Sequence, residues 1–198
     1  MAARVAVAEM RVSSSSFCVG PDGWLTSARK VVSPNFDARP TLESVSVVVL
    51  HNISLPPGRY GGGHVERLFT NRLDPGGHPF FERVCGARVS SHFFIDRQGR
   101  CTQFVSCLDR AWHAGASLFR GRPGCNDFSI GIELEGTDFE PFAESQYQAL
   151  NALLAALESA YPLEAVVGHS DIARDRKTDP GPFLRWDRLA VPSHLLSR

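Results

Sequence analysis

Two histidines in this chain each follow a short apolar run. The stretch "VVVLHN" carries His51 and "AVVGH" carries His169. Runs of Val and Leu this short read as buried strands, and the end of a strand is where a fold presents a side chain to a ligand. Two neighbouring strand ends can bring two imidazoles to one rim of a sheet. The segment after His169, "HSDIARDRKTDPG", is rich in aspartate. Two histidines and one carboxylate make a three-ligand set that leaves a fourth position open, as at a catalytic zinc. Asp171, Asp175 and Asp179 all qualify as the carboxylate on spacing alone. The plainer reading of either histidine is a hydrogen-bonded structural residue at a strand end.

A second group of residues suits acid–base work. In "DFSIGIELEG", Ile130, Ile132 and Leu134 alternate with Ser129, Gly131, Glu133 and Glu135, so the carboxylates share a face with small residues. Small neighbours leave room for a ligand beside Glu133, and a half-buried carboxylate has its pKa raised into the range of a general base or acid. Glu135 shares that face and ranks second. The competing reading is a carboxylate paired to an arginine or facing solvent. Lys177 precedes Asp179 by two positions. In an extended segment both side chains point the same way, and a lysine beside a metal ligand can stabilise an oxyanion. Without Asp179 it is an ordinary solvated lysine. His92 lies within a strand and reads as structural or supporting rather than as a ligand.

The elements that must position these residues are legible in outline. "ESVSVVVLHN" and "EAVVGHSD" are strands, and "PPGRYGGG" is a loop broken by Pro and Gly. "HVERLFTN" spaces Val65, Leu68 and Phe69 as a short helix, and "HPFFERVCG" adds a helical turn. "RVSSHFFIDRQGRCTQFVS" reads as a hairpin turning at Gln98-Gly99. "ESQYQALNALLAALESAYP" is the strongest helix, with Tyr147, Leu150, Leu154, Leu157 and Tyr161 on one stripe and Pro162 stopping it. This mixture predicts an α/β (mixed α+β) fold, with helices packed on a sheet.

Composition bounds the function. The 198 residues suit one domain, and 43% apolar content is enough for a sizeable core. Residues 1–22 are expected to be a loosely held extension with a serine run, and 23–198 one folded unit. Twenty-one basic residues balance 21 acidic ones, which argues against non-specific binding to nucleic acid. No stretch approaches the ~18 apolar residues of a membrane span. The N-terminus lacks a secretory h-region, so a cytoplasmic location is expected. The five cysteines, Cys18, Cys85, Cys101, Cys107 and Cys125, show no CxxC spacing and read as reduced thiols.

Taken together the chain resembles the AmpD family of cytosolic zinc amidases, within the wider N-acetylmuramoyl-L-alanine amidase class. The resemblance runs from about residue 23 to 187 through "GWL", "SPNFDARP", "HNISLPPG", "LFTN", "HPFF", "RVSSH", "AWHAG", "CNDFSIGIELEGTD", "QY", "GHSDIA" and "DRKTDPGP". It implies a single domain with a central mixed sheet flanked by helices and a zinc site at the strand ends. It implies that one Zn2+ is held by His51, His169 and Asp179, with Glu133 and Lys177 catalytic. It further implies hydrolysis of the amide between 1,6-anhydro-N-acetylmuramic acid and L-alanine in muropeptides, during cytoplasmic peptidoglycan recycling. In some bacteria loss of this activity raises the muropeptides that induce β-lactamase. Within such a site Asn52 and Arg88 can meet the peptide's carboxylates, and Trp112 in "AWHAG" can line the groove or simply belong to the core. The expected partner is a small-molecule anhydro-muropeptide, with no nucleic acid and no membrane. A non-catalytic muropeptide-recognition module and an exported cell-wall amidase are the rival readings. The chain departs from the family pattern in the extension before Gly23, in Arg174 where proline is common, and in Arg185 where aspartate is common; none of these is a proposed ligand.

Overall fold

The computed structural model describes residues 17–196. Residues 1–16, with the serine run, lie outside the described residues. From Phe17 onward the chain is packed: Val19 bridges Leu25, and Phe17 and Val19 lie against the core.

The strands are β1 (Arg29–Lys30), β2 (Phe36–Ala38), β3 (Val47–Ile53), β4 (Phe93–Ile95), β5 (Cys101–Gln103), β6 (Asp109–Ala111), β7 (Leu118–Phe119), β8 (Arg122–Pro123), β9 (Ser129–Glu135) and β10 (Ala165–Gly168). The α-helices are α1 (His64–Phe69), α2 (Pro79–Val84), α3 (Glu144–Ala160) and α4 (His169–Ile172). Strands buried on both faces read as continuous apolar runs rather than alternations, which is the character of β3 and β10. They sit side by side in a six-stranded mixed sheet of order β1-β5-β4-β9-β3-β10. The strands β4, β9, β3 and β10 run parallel, and β5 returns antiparallel beside β4. The β4–β5 pair is the hairpin expected around Gln98-Gly99.

The two faces of the sheet are covered differently. Val48, Leu50, Ile130, Ile132 and Val166 pack under α3 through Tyr147, Leu150, Leu153, Leu154 and Leu157. Each such side chain removed from water stabilises the fold by roughly 1.5–3 kcal/mol, so this helix is fixed by its stripe rather than by its caps. It ends at Ala160, just before Tyr161-Pro162, as the proline requires. Gln146 fastens its start: the side chain accepts from the Ala143 N–H and donates to the carbonyls of Ile95 and Glu135. On the opposite face Val47, Val49 and Val167 pack with Ala114, Cys125 and Phe128 from the connection before β9. A third cluster puts α1 and α2 beside Phe104 and Val105. The Arg39 guanidinium staples that connection, donating to the carbonyls of Cys107, Asn126, Asp127 and Ser129. Among the described residues no helix is long and apolar enough to cross a membrane.

Two details of the expected elements are corrected. The strand β3 does not stop at His51 but continues through Ile53, so His51 is an internal strand residue. The strand β10 stops at Gly168, and His169 is the first residue of α4. Both histidines still lie near the carboxyl ends of parallel strands, where open α/β sheets bind ligands.

Candidate active site

Register assembles the site. Gly168 of β10 pairs with Leu50 of β3, which places His169 next to His51. His51 pairs in turn with Glu133 of β9. Paired residues of adjacent strands project to the same face, here the face away from α3. His51 Nδ1 lies 3.0 Å from His169 Nδ1 and 3.0 Å from Asp179 Oδ2. His169 Nδ1 is also 3.0 Å from Asp179 Oδ2. One donor atom from each residue therefore converges on a single point, and the three can hold a metal ion. Both histidines are buried and Asp179 is half-buried.

Local geometry selects among the three aspartates that spacing left open. Asp171 is occupied, its Oδ2 accepting from the Gly168 N–H at the start of α4. Asp175 is exposed in a turn at φ 64. Asp179 is delivered to the histidines by its own carbonyl, which accepts from the Ser170 N–H at 2.9 Å. Gly168 allows that approach, because a Cβ there would stand 2.8 Å from Pro180 Cδ. Burial alone would raise the Asp179 carboxyl, but His169 and His51 outweigh it and hold it well below the usual carboxylate range. Burial likewise pushes the His51 imidazole down to about 4 against the pull of Asp179, so that ring offers a neutral lone pair near neutral pH.

Glu133 differs from every other acid in the chain that the structure describes in one respect: its Oε2 is wholly shielded and has no hydrogen-bond partner. Burial first, and then the neighbouring Asp179, raise its carboxyl well above the usual range, with Lys177 opposing. Lys177 is exposed, and its charge acts on both Glu133 and His51. Its segment is not simply extended, since the chain turns through 174–176 and the Lys177 N–H donates to the Ala173 carbonyl.

Glu135 has a different job. Its buried carboxylate accepts from the Gly61 N–H at 2.6 Å and the Arg97 N–H at 3.0 Å, tying the glycine loop to the β4–β5 hairpin. Glu135→Gln puts an amide N–H against one of those donors, and it is expected to lower stability by about 1–3 kcal/mol. Urea unfolding measures that loss, while turnover per folded molecule should change little.

The other expected contacts are placed as follows. Asn52 Nδ2 donates to Asp138 Oδ1 and to the Pro180 carbonyl, bracing the segment that carries Asp179. Trp112 donates from Nε1 to Asp37 Oδ1, beside the Arg110–Asp37 ion pair. Arg88 is exposed between α2 and β4. His92 is buried and bonded to the backbone: Nδ1 accepts from the Gly131 N–H and Nε2 faces the Asp109 carbonyl. The residue that spacing missed is His113. The small side of β9 leaves room, as expected, but at Gly131 that room is filled by the His113 ring, 2.5 Å from where a Cβ would stand. His113 Nδ1 lies 3.0 Å from His51 Nε2. The only signal was a histidine in "AWHAG", and nothing local says which way it points.

The family described as N-acetylmuramoyl-L-alanine amidase matches residues 41–182, the span that holds the whole triad and Glu133. This chain belongs to that amidase family. The 1,6-anhydro-N-acetylmuramyl-L-alanine amidase AmpD of Escherichia coli (strain K12) is 52% identical over 171 residues, covering 85% of this chain and 93% of its own. An AmpD crystal structure superimposes with a TM-score of 0.84 at 49% identity, covering 89% of this chain and 98% of its own. AMPDH3 from Pseudomonas aeruginosa, solved in complex with anhydromuramic pentapeptide, has a TM-score of 0.58 at 33% identity and covers 73% of this chain and 58% of its own. The expectation of a mixed sheet flanked by helices agrees with these amidase folds.

Proposed function

We infer that this chain is a zinc amidase that hydrolyses the bond between 1,6-anhydro-N-acetylmuramic acid and the L-alanine of muropeptides, in the cytoplasm, during peptidoglycan recycling. The observation that carries the reading is the convergence of His51, His169 and Asp179 beside a partnerless buried carboxylate, in a chain half identical to AmpD over most of its length. Two imidazole nitrogens and one carboxylate oxygen fit zinc, and three protein ligands are the catalytic rather than the structural number. When bound, zinc supplies Lewis acidity to the water and carbonyl oxygen at its open position.

The chain's own residues account for the protons and the charge. Glu133 takes a proton from the attacking water, whose oxygen bonds to the lactyl carbonyl carbon. Its proton affinity, raised by burial and by the neighbouring Asp179, suits it to take up a proton and return it. The carbonyl oxygen gains negative charge, and we assign its stabilisation to the Lys177 ammonium, whose charge already acts on Glu133 and His51. As the C–N bond breaks, Glu133 gives its proton to the departing L-alanine nitrogen, so the acid and amine products balance the water consumed. A recognition module has no need for a shielded, unpaired carboxylate next to a three-ligand set, which favours catalysis over mere binding.

Incubation with anhydro-muropeptide, followed by mass spectrometry, should show free peptide, and chelation should stop its release. Soluble anhydro-muropeptides should be cleaved much faster than intact sacculi. Comparable rates on the two substrates would count against a dedicated recycling enzyme.

A further inference from the structure

The hydrogen bonds around His113 run in one direction. The Ser129 hydroxyl donates to the Cys125 carbonyl at 2.6 Å. A carbonyl oxygen only accepts, so this end of the chain of contacts cannot be reversed. With its proton committed to Cys125, Ser129 Oγ is left to accept from His113 Nε2, 3.2 Å away. A neutral imidazole carries one proton, so His113 Nδ1 is bare and accepts from His51 Nε2 at 3.0 Å. The His51 proton is thereby held on the nitrogen remote from the triad. Its Nδ1 lone pair faces His169 and Asp179.

The neighbouring residue does the same for the second histidine. The Ala114 carbonyl lies 3.1 Å from His169 Nε2, which places that proton away from the triad too. Residues 113 and 114 are themselves pinned, both backbone N–H groups donating to Asn126 Oδ1 at 3.2 and 2.8 Å. The Asn126 carbonyl is in turn held by Arg39. Gly131 supplies the space that lets the His113 ring lie against β9 and meet His51 edge-on, at an interplanar angle of 86°.

We propose that His113 is a positioning residue of the metal centre: through the Cys125–Ser129–His113 chain it fixes the tautomer and orientation of His51, so that Nδ1 is presented as a ready-made metal donor. The proposal rests on reading the triad as a zinc site. Outer-shell partners of ligating histidines are worth roughly 10–100-fold in metal affinity, and that is the effect assigned to His113.

The test is zinc affinity of the full chain, measured by competition with a chromophoric chelator, alongside the thermal midpoint of the metal-free protein. His113→Leu fills similar space but accepts nothing, and it should bind zinc about 10–100-fold more weakly. His113→Asn presents a side-chain carbonyl near the Nδ1 position and an N–H besides, and it should recover most of that loss. Gly131→Ala displaces the ring without removing a hydrogen-bonding group, and it should behave like the leucine variant. In imidazole NMR spectra of the zinc-loaded parent, a slowly exchanging Nε2 proton on His51 should be visible, and in His113→Leu it should be lost. If the parent itself binds no zinc, the reading of the triad fails. If the parent binds zinc and the leucine and Gly131→Ala variants bind it equally well, the role of His113 is overturned. Should His113→Leu fail to fold without metal, His113→Asn and Gly131→Ala decide: the proposal stands if only Gly131→Ala weakens zinc, and falls if neither does or if asparagine is the weaker binder.

Discussion

His169→Ala is expected to remove metal and activity together. The variant keeps His51 and Asp179, but two donors do not make the three-ligand set of a catalytic zinc. The fold should survive. Position 169 opens a helix, where alanine is well tolerated, and the Ala114 carbonyl that loses His169 keeps its bond from Arg176. Losing the Lewis acid removes several kcal/mol of transition-state stabilisation, so hydrolysis should fall by more than ~10³-fold, about 4 kcal/mol or more. Elemental analysis, a thermal melt and a mass-spectrometric assay on one preparation separate the cases. A zinc-free His169→Ala protein with full turnover would sink the metal-dependent mechanism. Lost activity with zinc fully retained would mean that His169 is not a ligand.

Glu133→Gln should show the complementary pattern, with zinc content near about one per chain and turnover lower by roughly 10²–10⁴. That corresponds to about 3–5 kcal/mol of transition-state stabilisation. Glutamine keeps the size of the side chain and removes its basicity. Stability gives an internal control. Because the Glu133 carboxyl is raised in the fold, the folded state binds that proton more tightly than the unfolded chain does. The resulting stabilisation is full below the ordinary glutamate range and is lost as pH rises through the raised folded value. Glutamine has no charge to bury at any pH, so above that window the metal-free glutamine variant should melt no lower than the parent. A variant that loses zinc, or a dead Glu135→Gln beside a live Glu133→Gln, would show that the roles on β9 are assigned wrongly. The contrast between the two glutamates is sharp because backbone donors satisfy Glu135 and nothing satisfies Glu133 Oε2.

Much of this molecule was determined by its sequence alone. The valine runs of β3 and β10, the alternation in β9 and the leucine stripe of α3 are local patterns. Strand and helix periods turn such patterns directly into buried faces. The types of the chemical residues were equally plain: two histidines beside apolar runs, an aspartate-rich segment, and a glutamate among small neighbours. What spacing left open was decided by tertiary structure, because it depends on partners far away in the chain. His51 and His169 are 118 residues apart and meet only because β10 pairs with β3 in one particular register. Asp171, Asp175 and Asp179 look alike in sequence; they differ because one caps α4, one faces solvent and one is carried to the histidines by the Ser170 N–H. The space beside Gly131 was readable as space, but what fills it was not. The His113 ring enters from a separate connection fixed by Asn126 and Arg39. A side chain's chemistry is written in its type, whereas its role is set by what the fold packs against it.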